Sequence, residues 1–158
     1  MGNRMDYAKA SPDGFKAFGG AYVYLRKSGL SEELIYLVYL RVSQINGCAY
    51  CIDMHSKDAR AEGETEQRLY ALSAWRETPF FSERERAALE WTEAVTLIAG
   101  HPVSDALYDE VRQHFSEEEL VNLTVAVVAI NGWNRLAIAF RAVPGEYQPA
   151  HLVAGARK

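Results

Sequence analysis

Ser43-Gln44-Ile45-Asn46-Gly47-Cys48-Ala49-Tyr50-Cys51-Ile52-Asp53-Met54-His55 holds both cysteines of the chain, with a histidine four positions after the second. Asn46-Gly47 is a turn or helix-stop signal. Beyond it, residues 52–62 read as helix closed by Gly63, which puts Cys48 and Cys51 in the first turn. Unpaired backbone N–H groups at a helix start favour a thiolate. Along that helix Cys51 and His55 are four apart and Cys48 and His55 seven apart, so all three share one face. A dithiol with an imidazole one turn away can ionise, form a disulfide and move a proton.

Helical periodicity extends outward in both directions. Residues 1–12 are polar and expected to be loose, ending at Ser11-Pro12. Phe15, Phe18, Tyr22 and Leu25 mark one face of a first helix over 13–28, stopped by Gly29. Ser31 can cap a second helix, with Glu32 and Glu33 in its positive first turn and Leu34, Leu37, Val38 and Ile45 on its buried side. That helix delivers the chain to Cys48. After the cysteine helix, Thr65 starts a short helix to about Trp75, ended by Thr78-Pro79. Ser82-Glu83-Arg84-Glu85 is a capping box opening a helix over 83–99. Gly100-His101-Pro102 breaks it, and Ser104 opens another to about His114. Ser116 and Glu119 form a second capping box, with Phe115 and Leu120 as its hydrophobic staple. The helix that follows, over 117–142, is apolar nearly all round in its first half and is expected to be central. Pro144-Gly145 ends it.

No segment alternates with period two, and no internal repeat is apparent. The pattern predicts an all-α single domain of six or seven helices: a loose segment over 1–12, a helical domain over 13–143 and an extended tail over 144–158 that includes Pro149 and Gly155. A chain of 158 residues with 49% apolar residues supports one packed core. A net charge of −4 and a pI near 5.6 give no electrostatic case for nucleic acid or an anionic membrane. The N-terminus has no apolar run of the signal-peptide kind, and the longest apolar run, 120–130, is too short to span a bilayer. The expected compartment is the cytoplasm. There a C-x-x-C pair is more often redox-active or metal-binding than a structural staple.

Three readings of C-x-x-C-x-x-x-H compete. Two buried cysteines and a satisfied core histidine need no function, since free cysteine packs well in cores. Zinc needs four ligands where two thiolates and one imidazole supply three, and only His101 or His114 could add a fourth by long-range folding. A redox dithiol needs an attacking thiolate, a resolving thiol and a group to handle the proton, and all three types are present. On chemistry alone the redox dithiol is the best of the three. No metal and no cofactor are then expected.

Residues 43–60, Ser-Gln-Ile-Asn-Gly-Cys-Ala-Tyr-Cys-Ile-Asp-Met-His-Ser-Lys-Asp-Ala-Arg, strongly resemble the alkylhydroperoxidase AhpD-like branch of the carboxymuconolactone decarboxylase family. Residues 129–138, Ala-Ile-Asn-Gly-Trp-Asn-Arg-Leu-Ala-Ile, resemble it too, and the likeness covers about 15–142. The resemblance implies an all-α fold, a homo-oligomer (trimer or hexamer) and thiol-dependent reduction of a hydroperoxide. The implied reductant is a dithiol protein or a lipoyl group. It further implies that Cys51 meets the peroxide, Cys48 resolves it and His55 relays the proton. Alternatives of another class are a non-enzymatic or disulfide-exchange redox protein and a lactone-acid decarboxylase. The decarboxylase members generally lack the cysteine pair.

Two positions depart from the family pattern. Tyr36 stands where members commonly have a glutamate ending the proton relay, twelve residues before Cys48. Tyr50 stands between the cysteines, where some members have a histidine. A phenol is a poor base at neutral pH, so Tyr36 implies a slow peroxidase that Tyr36→Glu should accelerate. As an aromatic core residue Tyr36 would need no such role. Glu33, Glu90 and Glu93 are substitute carboxylates. Asp58 can orient the His55 ring, but beside Lys57 and Arg60 it reads as a surface charge. Arg135, with Asn131 and Asn134, reads as satisfying buried carbonyls or an acidic group at a subunit contact.

Overall fold

A computed structural model describes residues 2–149. Among them the chain is all helix and loop: α1 (Tyr7–Ala10), α2 (Pro12–Leu25), α3 (Glu32–Asn46), α4 (Ala49–Ala61), α5 (Glu66–Ala71) running into a 3₁₀ segment (Leu72–Glu77), α6 (Glu83–Thr96), α7 (Asp105–Arg112) and α8 (Glu117–Phe140). Helix α3 lies at the centre, packed on α4, α6 and α8, while α8 also contacts α2, α4, α6 and α7. Leu37, Val38 and Val42 of α3 are fully buried.

The stop and start signals act locally as expected. Ser31, Thr65, Ser82, Ser104 and Ser116 each accept a hydrogen bond from a first-turn backbone N–H, and the boxes at Ser82/Glu85 and Ser116/Glu119 are both closed. Phe115 and Leu120, the staple residues, are both buried in the main core. Gly47 ends α3 in the left-handed region (φ 68°), which a side chain would resist.

Three expectations are corrected. Residues 1–12 are not uniformly loose. Tyr7–Ala10 form a helical turn capped by Asp6, and Tyr7 packs against Phe15 and Phe140. Arg4 also donates to the carbonyls of Ala139 and Phe140 at the end of α8, where helix carbonyls lack partners. The helix expected from Thr65 to about Trp75 kinks at Ala74 and finishes as 3₁₀. Finally, α8 is central but not enclosed, because Val121 and Val128 are 61% and 59% exposed. By length and composition the whole of α8 is long and apolar enough to cross a membrane, which the 120–130 run alone is not. Here it packs against α2, α3, α4, α6 and α7. The tail is non-helical through Pro149, and Gly155 lies outside the described residues.

Candidate active site

The α3–α4 junction is built from side-chain amides. Asn46 Nδ2 donates to Asn131 Oδ1 (3.0 Å) and Asn134 Oδ1 (2.9 Å), and Asn134 Nδ2 donates to Ser43 Oγ (3.1 Å). Arg135 donates to the Asn131 carbonyl and to Asn131 Oδ1, so its role here is to steady that amide cluster. The Asn-Gly stop is thereby pinned to α8, and the chain re-enters as α4 two residues after Gly47. Helix α4 begins earlier than the sequence suggested, so Cys48 is its N-cap.

Cys48 and Cys51 are joined by a disulfide with Cα atoms 5.3 Å apart. The Cys51 backbone N–H donates to Cys48 Sγ (3.3 Å). Both cysteines are buried with Ala137 of α8, and Tyr50 packs beside them. His55 is 1% exposed.

Two cavities share the Tyr22 ring, and His55 lines the first of them. The first, about 200 Å³, is lined by Cys51, His55, Tyr50, Met54, Tyr22, Trp133 and neighbouring apolar groups. Its aromatic wall exists because Gly132 lets Phe18 press onto α8, where any Cβ would collide with the Phe18 ring. Phe18 and Phe15 then pack on Trp133. The second cavity, about 220 Å³, is lined by Tyr36, Tyr39, Arg26, Glu32, Glu62, Asp58 and Tyr147 among others. Tyr22 lines both.

The ring nitrogens face different groups. Nε2 lies 3.0 Å from the Tyr22 hydroxyl. Nδ1 lies 3.6 Å from Asp58 Oδ2. That is ion-pair range but too long for a hydrogen bond, so Nδ1 is buried without a hydrogen-bond partner. A ring proton on Nδ1, toward the carboxylate, leaves Nε2 to accept from Tyr22. Burial pushes the His55 pKa below its ordinary 6.5, and Asp58 pulls it part of the way back. Asp58 is itself engaged: the Tyr147 hydroxyl donates to its Oδ1 at 2.6 Å.

Cys48, Cys51, His55 and Tyr50 are thus together. Tyr36 lines the polar cavity with Asp58, partly buried, with its pKa pushed up to about 12 by burial and by Asp58. Of the substitute carboxylates, Glu33 is exposed and Glu90 sits 3.6 Å from Arg76 at the surface. Glu93 accepts from Arg41, Trp75 and Arg76. Burial works against its charge, but those three donors outweigh it and hold the carboxyl below its ordinary range. The carboxylate that reaches the ring is Asp58, 16% exposed at its side chain rather than a surface charge. Two residues had no functional signal in sequence. Tyr22 read only as a core-face aromatic, and Tyr147 lies in the tail. A group of three or more His, Cys, Asp and Glu side chains able to hold a metal is absent among the described residues.

The carboxymuconolactone decarboxylase family model matches residues 10–94, more than half of the chain. The chain belongs to that family. It is 47% identical over 139 residues to the uncharacterized protein YdfG of Bacillus subtilis, covering 88% of this chain and 95% of YdfG. The crystal structure of a protein of unknown function from Agrobacterium tumefaciens, suggested to be an antioxidant defence protein AhpD, superposes with a TM-score of 0.89. The match covers 92% of this chain and all of that one, again at 47% identity. An uncharacterized peroxidase-related protein from Ralstonia eutropha with an AhpD core shares the fold at a TM-score of 0.78 and 22% identity, over 89% of this chain and 75% of its own. The AhpD-like all-α single domain is therefore the fold of this chain, as the motif implied.

Proposed function

We propose that this family member is a thiol-dependent hydroperoxide reductase. The carrying observation is the disulfide-bonded Cys48–Cys51 pair with Cys51 and His55 in the wall of one apolar cavity. In the reduced enzyme the Cys51 proton reaches His55 Nε2 by way of the Tyr22 hydroxyl, which lines the same cavity, gives its own proton to Nε2 and takes the thiol's in exchange. The thiolate attacks the terminal oxygen of ROOH, the O–O bond breaks, and the leaving alkoxide takes a proton to give ROH and the Cys51 sulfenic acid. Cys48 attacks Cys51 Sγ, the S–S bond forms and water leaves. A dithiol protein or lipoyl-type reductant then reopens the disulfide by exchange. Because Cys51 lines the cavity and Cys48 Sγ is held at the helix cap, attack at Cys51 with Cys48 leaving fits the geometry. The orphaned Trp133 Nε1 belongs to a residue lining this cavity, which suits a substrate with a polar atom and an apolar body.

The proposal includes a homo-oligomer, trimer or hexamer, in the cytoplasm. An apolar groove of about 440 Å³ along α8, which includes Phe18, Trp91, Tyr108, Val121 and Val128, supports assembly. Light scattering should find a multimer with interfaces above about 1,000 Å², and a monomer at micromolar concentration removes that part of the reading. The activity is tested by cumene hydroperoxide turnover with dihydrolipoamide as reductant. Turnover that vanishes in Cys51→Ser and Cys48→Ser is expected. No turnover in the parent protein, or cysteines that stay free under mild peroxide, overturns it.

A further inference from the structure

The chain beyond α8 does not run free. Lys57 Nζ donates to the carbonyls of Gly145 (3.1 Å) and Tyr147 (3.0 Å) as well as to Asp53 Oδ2 (2.9 Å). Asp53 Oδ2 in turn accepts from the Gly145 backbone N–H (2.9 Å). Two charged side chains one turn apart on α4 therefore clasp a backbone segment some ninety residues away in sequence. Bonds to charged groups are the stronger kind. The clasp delivers one side chain inward: Tyr147, whose hydroxyl meets Asp58 Oδ1. Pro149, two residues on, is buried.

We propose that residues 144–149 form a strap that makes Tyr147 a positioning residue of the active site, holding Asp58 so that its other oxygen faces His55. The inference rests on the reading of Cys51 as attacking thiol and His55 as its base. A carboxylate on a short side chain can rotate. With Oδ1 bound to Tyr147 at 2.6 Å, Oδ2 is left at 3.6 Å from Nδ1, close enough to stabilise the imidazolium that forms when His55 takes a proton. Burial, then the Asp58 bond, raises the Tyr147 pKa, so the phenol remains a donor throughout the working pH range.

The groups that face His55 are Tyr22 from α2, Tyr39 from α3 with its ring centroid 4.9 Å away, and Asp58 from α4. Around Asp58 the cavity adds Tyr36 and Glu32 from α3, Arg26 just past α2, Glu62 at the end of α4, and Tyr147. The two phenols on the ring carry raised pKa values through burial and remain neutral. Asp58 is then the carboxyl group within ion-pair range of the ring, and its orientation sets how readily the ring accepts a proton.

The test is the rate of iodoacetamide alkylation of Cys51 in the reduced Cys48→Ser protein across pH 6–9. It reads thiolate formation whether or not the enzyme turns over peroxide. Tyr147→Phe, which keeps the ring and removes the hydroxyl, should move the inflection to higher pH and lower the rate at pH 7 about tenfold, the scale of one hydrogen bond to a charged group. Lys57→Met, which frees the strap without touching the relay, should shift it in the same direction by less. In an Asp58→Ala background Tyr147→Phe should change nothing further. An unchanged profile in Tyr147→Phe, or an equal loss with Asp58 absent, overturns the proposal. A shifted profile in a protein without peroxide turnover would leave the positioning role standing and remove the peroxidase reading.

Discussion

The two cavities that share Tyr22 are nearly equal in size and opposite in character. On one side, rings, Met54 and Ala137 surround Cys51. On the other, Arg26, Asp58 and two further carboxylates stand among phenols. The His55 ring is buried in the wall of the first, with Nε2 against Tyr22, which lines both, and Nδ1 toward Asp58, which lines the second. A thiol that must ionise next to an apolar substrate cannot have water at hand to take its proton. In the proposed reaction His55 answers that need, because the Asp58 carboxylate stands 3.6 Å from its Nδ1 to balance the charge the ring gains. The difference teaches that substrate fit and proton handling are separable here, so mutations in the two walls should have different signatures.

The largest effect is expected at His55 itself. His55→Gln keeps a polar side chain but removes the base, and should slow Cys51 sulfenate formation at pH 7 by about 10²–10⁴-fold. Stopped-flow rates checked against alkylation rates would show the loss in both. If only peroxide reactivity fell, the ring would act on substrate rather than on the thiol.

Next comes the dry wall. Met54→Ala removes apolar contact from the cavity without touching the polar side. The preference for cumene hydroperoxide over hydrogen peroxide should fall by about tenfold, the scale of one buried apolar side chain. The pH profile should stay put. A shifted profile would mean that the cavities are not independent.

Tyr36→Glu belongs to the wet wall. Read from the sequence, it should restore a missing relay carboxylate and accelerate the enzyme. With Asp58 already beside Nδ1, a further carboxylate in a cavity that includes Glu32 and Glu62 adds little. A gain of no more than about threefold near neutral pH is expected, well below the general-base range. A gain of a hundredfold would show that Asp58 does not serve.

The smallest effect is on stability. His55 has a folded pKa below its ordinary 6.5, so the unfolded chain binds the proton more readily. The corresponding stability is fully present above 6.5 and is lost as pH falls from there through the folded value. Thermal melts of the parent and His55→Gln from pH 7.5 to 5 should converge on acidification. Parallel curves would mean that the ring is protonated as easily inside the fold as outside.

Much of this was readable in the chain because it is governed by local rules. Ser31, Ser82 and Ser116 cap helices through bonds to backbone only a turn away, and Gly47 stops α3 through its own φ. Cys48, Cys51 and His55 converge because they share one helical face. Other features were invisible for the opposite reason. Tyr22 reaches His55 across 33 positions, and Tyr147 reaches Asp58 across 89. No periodicity records such pairs. Asp58 was misread because its neighbours in sequence, Lys57 and Arg60, are charged, whereas its neighbours in space are His55 and Tyr147. Tyr36 lines the polar cavity, while the carboxylate within reach of His55 Nδ1 is Asp58 of α4. By itself the sequence determined the helices, the dithiol and its histidine, because backbone geometry sets spacing along a helix. Which carboxylate lies beside that histidine, and which part of the chain bonds to it, was decided only by the packing of α2, α3, α4 and the tail around one buried ring.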